Sequence, residues 1–242
     1  MILLLGGTAE ARELAALLVA RGAPVTSSLA GRVAHPRLPA GAVRVGGFGG
    51  PAALRRWLAE HGVAAVVDAT HPFAERISIS AASASRAAGV PLLRLQRPGW
   101  TAGRGDRWHW VDDLPAAAAA IPGLGRRVLL TTGRQGLEQF AAVDEAWFLV
   151  RCVDPPEAAL PVRHELLLDR GPYTLAGEGA LLDTRAIDLV VTKDSGGSLT
   201  RAKLDAARER GVPVIVVRRP ARPEAETVGD VRAALHWALA HS

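Results

Sequence analysis

One cysteine, one methionine, one tyrosine and two lysines among 242 residues are the scarcities that first narrow what this chain can be. A single thiol, Cys152, excludes an intramolecular disulfide and any multi-cysteine zinc or iron–sulfur site, and it fits a reducing compartment, so a cytoplasmic location is expected. No apolar run is long enough for a bilayer: Met1–Leu5 meets Gly6 at once, and the alanine stretch Ala116–Ile121 lies between Pro115 and Pro122. No membrane partner is expected. The seven histidines show neither H-x-x-x-H nor H-E-x-x-H spacing, so no metal site is expected. G-x-S-x-G and the phosphate loop G-x-x-x-x-G-K-[ST] are also missing, which argues against a serine hydrolase and an ATPase.

Acid is missing where one class of nucleotide-binding protein would need it. From Leu14 to Ala59 there is no Asp or Glu, while Arg21, Arg32, Arg37, Arg44, Arg55 and Arg56 fall inside that span. Of the 29 basic residues only Lys193 and Lys203 are lysine, leaving 27 arginines and a net charge of +5. A GC-rich coding sequence explains arginine in place of lysine; the functional account is that guanidinium forks match carboxylates and phosphates. The arginines are scattered, with no recognition-helix or aromatic stacking motif, so nucleic acid is not an expected partner and a small polyanion suits the pattern better.

What is present is an alternation of short leucine- or valine-rich runs with longer alanine-rich stretches, the signature of parallel strands joined by helical crossovers. The first half reads strand 1–5, helix 8–21, strands 24–29 and 43–46, helix 51–61, strand 64–68, helix 73–88 and strand 91–95. A Pro-, Gly- and Arg-rich passage, Arg97–Trp108, interrupts it. Strands at 108–111, 127–131, 146–151, 165–168, 187–192 and 213–217 follow, with helices at 113–120, 134–142, 173–182, 199–210 and 229–240. Two lobes are expected, 1–97 and 98–242.

The turns between these elements carry the candidate chemistry. Gly6-Gly7-Thr8-Ala9-Glu10-Ala11 joins the first strand to the first helix and matches the dinucleotide fingerprint G-x-G-x-x-G/A in part, with Thr8 in place of the second glycine. Such a turn aims the free amides of a helix start at an anion, although a plain turn looks the same. An NAD site would place an acid about 20 residues on. Here Ser27-Ser28-Leu29-Ala30-Gly31-Arg32 offers hydroxyls and a guanidinium, which favours a 2′-phosphate and hence NADPH. Gly46-Gly47-Phe48-Gly49-Gly50 permits close backbone approach over the adenine side. Asp68-Ala69-Thr70-His71-Pro72-Phe73 sits at the carboxyl edge of the fourth strand. Pro72 suits a first helical position and Thr70 or His71 the cap, and His71 is equally a candidate proton donor. In the second lobe Thr131-Thr132-Gly133-Arg134-Gln135 and Thr192-Lys193-Asp194-Ser195-Gly196-Gly197 each end a strand and open a helix, offering amides, hydroxyls and a cation to carboxylates. All six tryptophans read as packing.

Taken in order, GGTAEAR (6–12), SLAGR (28–32), VGGFGG (45–50), DATHPFA (68–74), RPGW (97–100), GDRW (105–108), TTGRQ (131–135), RGP (170–172) and TKDSGG (192–197) resemble the precorrin-6A reductase family of corrin biosynthesis across almost the whole chain. The resemblance implies an α/β fold of two Rossmann-like lobes with mainly parallel sheets and a cleft between them. It implies NADPH held mainly by residues 1–97, substrate bound by 98–242, and reduction of one carbon–carbon double bond of a tetrapyrrole, precorrin-6A or its cobalt form, to give precorrin-6B. Gly6, Gly7, Thr8 and Ala9 then meet the pyrophosphate, Ser28 and Arg32 the 2′-phosphate, Gly47 and Phe48 the adenine side, and Asp68, Thr70 and His71 the nicotinamide and macrocycle edge. Arg134, Lys193, Ser195, Gly196 and Gly197 take substrate carboxylates. His71 or solvent supplies the proton. Two other readings of the residues stay open: a non-catalytic NADPH-binding sensor module, and an NADPH reductase of another small polycarboxylate.

Overall fold

The computed structural model describes residues 1–31 and 37–242. In chain order the elements are β1 (Ile2–Leu5), α1 (Ala9–Ala20), β2 (Val25–Leu29), β3 (Ala42–Val45), α2 (Pro51–Glu60), β4 (Ala65–Asp68), α3 (Glu75–Ala88) and β5 (Leu92–Leu95). They continue with β6 (Trp108–Val111), α4 (Leu114–Ala120), β7 (Arg127–Thr131), β8 (Trp147–Cys152), β9 (His164–Leu168), α5 (Leu175–Thr184) and β10 (Leu189–Lys193). The last are α6 (Ala202–Glu209), β11 (Val214–Val217), β12 (Glu226–Val228) and α7 (Val231–Ala240). The chain divides into two units: unit 1 is Met1–Pro98 with Ala221–Ser242, and unit 2 is Gly99–Pro220.

Unit 1 is a six-stranded, all-parallel sheet in the order β3-β2-β1-β4-β5-β12. Its centre, β1, is apolar at every position because a parallel strand between two helical layers has no solvent face. Ile2 and Leu4 join a cluster with Leu14 and Leu18 of α1 and Ala234 and Leu235 of α7. Leu3 and Leu5 point the other way, onto Leu54 and Leu58 of α2 and Ala81 and Ala84 of α3. All four strand side chains are at most 1% exposed, and each such burial contributes about 1.5–3 kcal/mol.

Unit 2 repeats the plan as β9-β8-β7-β10-β11-β6, again all parallel. Leu129, Leu149, Val190 and Val216 pack with Leu182 of α5 and Leu204 and Ala207 of α6. Both sheets are doubly wound and Rossmann-like, with the strand order reversing at β1/β4 and at β7/β10. In each, the sixth position is taken out of turn: β6 follows β5 in sequence but lies in the second sheet, and β12 follows β11 but lies in the first.

Several expectations are corrected. Residues 98–242 do not form one lobe, because Ala221–Ser242 adds β12 and α7 to unit 1. The helix expected at 134–142 is a single 3-10 turn, Leu137–Phe140. Gly133 and Gly136, at φ 75° and 81°, turn the backbone left-handed where an α-helix would have to start. The helix expected from residue 73 starts at Glu75, with Ala74 at its cap and no side-chain capping bond. The helix expected from 199 starts at Ala202, so neither glycine-bearing turn of unit 2 opens directly into an α-helix. Among the described residues no helix is long and apolar enough to cross a membrane.

Candidate functional site

In open α/β sheets ligands bind beyond the carboxyl ends of the strands where the order reverses. In unit 1 that place is the turn after β1. The Gly6 amide donates to the Ser28 carbonyl at 3.0 Å. Gly7 has φ 114°, which requires glycine, and a side chain built on it would meet nothing within 4 Å among the described residues. Thr8 caps α1: its hydroxyl accepts from the Ala11 amide (3.1 Å) and donates to the Ala69 carbonyl (2.8 Å). That hydroxyl is spent on structure, while the Ala9 and Glu10 amides precede the first intrahelical bond and are not used within the helix. Glu10 would repel an anion at this helix start, but Arg97 pairs with it at 2.8 Å.

Asp68, at the end of β4, is 1% exposed. Its carboxylate accepts from the Thr70 amide (3.1 Å), the Thr70 hydroxyl (2.6 Å) and the Ser78 hydroxyl (2.6 Å). Arg94 Nε and Arg222 Nη1 lie 4.0 Å from it. Arg222 also donates to the Thr70 hydroxyl (3.1 Å), the His71 carbonyl (2.9 Å) and Gln96 Oε1 (3.3 Å). This network explains the late start of α3. Thr70, expected as a cap, gives its hydroxyl to Asp68, while the His71 carbonyl takes the Ala74 amide in a tight turn. Asp68 therefore anchors the Thr70–Ala74 turn. His71 is half-buried, and its Nδ1 accepts from the Phe73 amide at 3.3 Å, so the neutral ring carries its proton on Nε2.

The basic span after β2 is organised by a residue that sequence reading passed over. Arg44 of β3 lies in register with Ser28. Its guanidinium donates to the Ser28 hydroxyl (3.3 Å) and to the Gly46 and Gly47 carbonyls (2.6 and 2.7 Å), and it lies 3.7 Å over the Phe48 ring. Burial pushes its pKa down. The signal was the two-residue alternation that pairs β2 with β3. Arg32 lies outside the described residues.

In unit 2 the corresponding turn follows β7. Thr131 donates to the Val191 carbonyl at 3.1 Å, and the buried Thr132 hydroxyl has no hydrogen-bond partner among the described residues. Lys193, at the end of β10, donates to the Gln135 carbonyl at 3.4 Å, which brings it beside the turn that carries Arg134. Burial lowers the Lys193 pKa, and Glu138 opposes that shift. In the next loop Asp194 accepts from the Trp100 amide (3.0 Å) and pairs with Arg219 (3.1 Å), while Gly196 and Gly197 have φ 67° and 69°. Trp100, expected as packing alone, also donates its indole N–H to the Gly197 carbonyl at 2.8 Å. Beneath lies a polar core that sequence reading missed. Arg151 and Glu178 pair through two bonds of 2.5 and 3.1 Å, the Arg151 guanidinium lies 4.0 Å over Tyr173, and Lys203 is 5% exposed. The local context of Lys203 gave no hint of burial, since a lysine in a helix's first turn is ordinarily solvated; its one signal was being one of two lysines among 29 basic residues. Among the described residues no group of His, Cys, Asp and Glu gathers as a metal site.

Comparison with known proteins adds to this geometry. Residues 1–239 match the family described as Precorrin-6x reductase CbiJ/CobK. The chain is 52% identical over 238 residues to a precorrin-6A reductase of Rhodococcus erythropolis, covering 98% of this chain and 96% of that one. It is 43% identical over 241 residues to a precorrin-6A reductase of Rhodobacter capsulatus, covering 99% and 96%. It is 31% identical over 234 residues to a cobalt-precorrin-6A reductase of Priestia megaterium, covering 91% of each. A solved structure named CobK precorrin-6A reductase superposes with a TM-score of 0.94 at 42% identity, over 100% of this chain and 96% of that one.

Proposed function

Because the chain belongs to the precorrin-6x reductase (CbiJ/CobK) family, we propose that it reduces precorrin-6A with NADPH. It is an oxidoreductase acting on a carbon–carbon double bond of a tetrapyrrole, and a nicotinamide cofactor goes with that chemistry. The observation that carries the reading is the near-complete match to precorrin-6A reductases at 43–52% identity; cobalt-precorrin-6A reductases match at 30–32%. The metal-free macrocycle is therefore the favoured substrate.

The first turn of unit 1 fits such a cofactor: bare backbone at Gly7 with open space around it, ahead of a helix start. When bound, the cofactor supplies the hydride. Gly6, Gly7, Thr8 and Ala9 border its pyrophosphate, which accepts from the Ala9 and Glu10 amides. Ser28 and Arg32, joined by Arg44, meet the 2′-phosphate, and an acid-free stretch leaves nothing there to repel it. Gly47 and Phe48 border the adenine, with Phe48 held by Arg44. Thr70 and His71 face the nicotinamide end, on a turn fixed by Asp68 and Arg222, and His71 gives a proton from its imidazolium form, in which Nδ1 no longer accepts from the Phe73 amide. In unit 2, Arg134, Lys193, Ser195, Gly196 and Gly197 bind the acetate and propionate arms, so that both partners are oriented before reaction.

The test is loss of nicotinamide absorbance when protein, NADPH and the yellow precorrin-6A are mixed. Oxidation of NADPH but not of NADH is expected, and no oxidation would favour a binding module instead. Oxidation with smaller polycarboxylates but not with precorrin-6A would favour a reductase of a different substrate. In Arg44→Met the preference for NADPH over NADH should fall about tenfold; an unchanged preference would remove Arg44 from the phosphate site.

A further inference from the structure

The loop between β10 and α6 contains two consecutive left-handed glycines, Gly196 and Gly197. Glycine loses more conformational freedom on ordering than any other residue, so such a pair does not hold its own shape. Residues outside the loop help to set its shape. At one end Asp194 accepts from the Trp100 amide and pairs with Arg219, which also donates to the Asp194 carbonyl at 3.0 Å. Gly99 lets the chain come this close, because a side chain built there would stand 2.6 Å from Asp194 Oδ2. Three residues on, the Trp100 indole N–H holds the Gly197 carbonyl at 2.8 Å. Farther along, Lys203 Nζ donates to the Thr200 carbonyl at 2.7 Å and lies 4.9 Å from the centre of the Trp100 ring. Trp100 thus grips the loop at two points, and Lys203 grips both the loop and Trp100.

Lys203 is also chemically out of character for this chain, which places arginine at 27 of its 29 basic positions. An ammonium is a compact point charge, whereas a guanidinium is a broad planar fork that fits poorly between a carbonyl and an aromatic face. We propose that Trp100 and Lys203 are positioning residues that hold the Ser195–Gly197 segment in the shape that receives a carboxylate arm of the substrate. This rests on the assignment of that segment to substrate binding, and the controls below test that assignment separately.

The test is steady-state kinetics with precorrin-6A, together with NADPH titration of each variant. In Trp100→Phe, which keeps the ring and loses the indole donor, KM for the tetrapyrrole should rise about five- to tenfold. Its kcat should stay within about twofold and its NADPH affinity should not change. Lys203→Met guards against a folding defect in Trp100→Phe. Removing a buried ammonium leaves the fold no less stable below neutral pH, yet KM for the tetrapyrrole should still rise several-fold. A purely structural role predicts the opposite, that KM follows stability. Lys193→Met and Ser195→Ala are the controls. If they raise KM while Trp100→Phe and Lys203→Met do not, the positioning role is wrong. If none of the four raises KM, the substrate assignment of the loop fails and takes the inference with it.

Discussion

In unit 1 the chain leaves β1 through Gly6–Thr8 straight into the twelve residues of α1; in unit 2 it leaves β7 through Thr131–Gly136 into one 3-10 turn, Leu137–Phe140. The strand order around the two turns is the same. A helix start supplies ordered amides and the positive end of a dipole, which suits a pyrophosphate. A 3-10 turn supplies neither, and the same position in unit 2 is furnished with side chains: Thr132, Arg134 and Lys193. On the proposed assignment one scaffold recognises anions in two ways, through backbone for a fixed cofactor and through cations for a macrocycle with many acid arms.

The largest effect that would sharpen this contrast lies beneath the unit 2 turn. Arg151 and Glu178 are both under 10% exposed and bonded twice, so Glu178→Gln leaves a buried guanidinium without its counter-charge. A loss of about 3–5 kcal/mol is expected on denaturant unfolding, with NADPH affinity of the folded protein unchanged. A weakened affinity would show that the two anion sites are not independent.

Next come the paired turn glycines. Gly7→Val places a β-branched residue at φ 114° on the bare backbone and should lower NADPH affinity about a hundredfold or more. Gly133→Val, at φ 75° in the corresponding turn, should leave that affinity within about twofold. Equal losses in the two variants would break the comparison.

A pH-dependent effect concerns Lys203, whose pKa burial pushes down to about 7, with Arg151 adding to the shift and Glu178 opposing it. The unfolded chain keeps the ordinary value near 10.5, so between about 7 and 10.5 it binds more protons than the folded one. Stability attributable to this residue rises with pH across that window, and the full penalty is present below it. Compared with Lys203→Met, the wild-type protein should gain on the order of a few kcal/mol from pH 7 to pH 10 in urea unfolding. A constant difference would show that the folded amine holds its proton as firmly as the unfolded one across this range.

The sequence made the alternation of elements readable because β1, β4, β7 and β10 are unbroken apolar runs bounded by glycine or polar turns. It concealed β12, whose Glu226–Val228 has no periodicity and becomes a strand only by pairing with β5. Without that pairing nothing marks 221–242 as part of unit 1. The helix forecast at 134–142 followed composition past Gly133 and Gly136, whose left-handed backbone decides the matter. At the site, residues named from local motifs were accessible to reading, Gly7 in a tight turn and Lys193 at a strand end, whereas Thr8, read as part of the fingerprint, spends its hydroxyl as the cap of α1. Residues that act from a distance in sequence were not. Arg222 reaches Thr70 and His71 across some 150 positions, and Trp100 meets Gly197 across 97. The anchoring of Asp68 by three hydrogen bonds at 1% exposure was not legible either, because only the folded turn brings Thr70 and Ser78 to it.

The central claim is that the opening turn of unit 1 holds a phosphorylated nicotinamide nucleotide. Isothermal titration of the intact protein with NADPH and with NADH tests it most directly. Saturable heat from NADPH, with affinity at least about tenfold above that for NADH, is the predicted result; no heat from NADPH, or equal affinity for the two, would contradict the account.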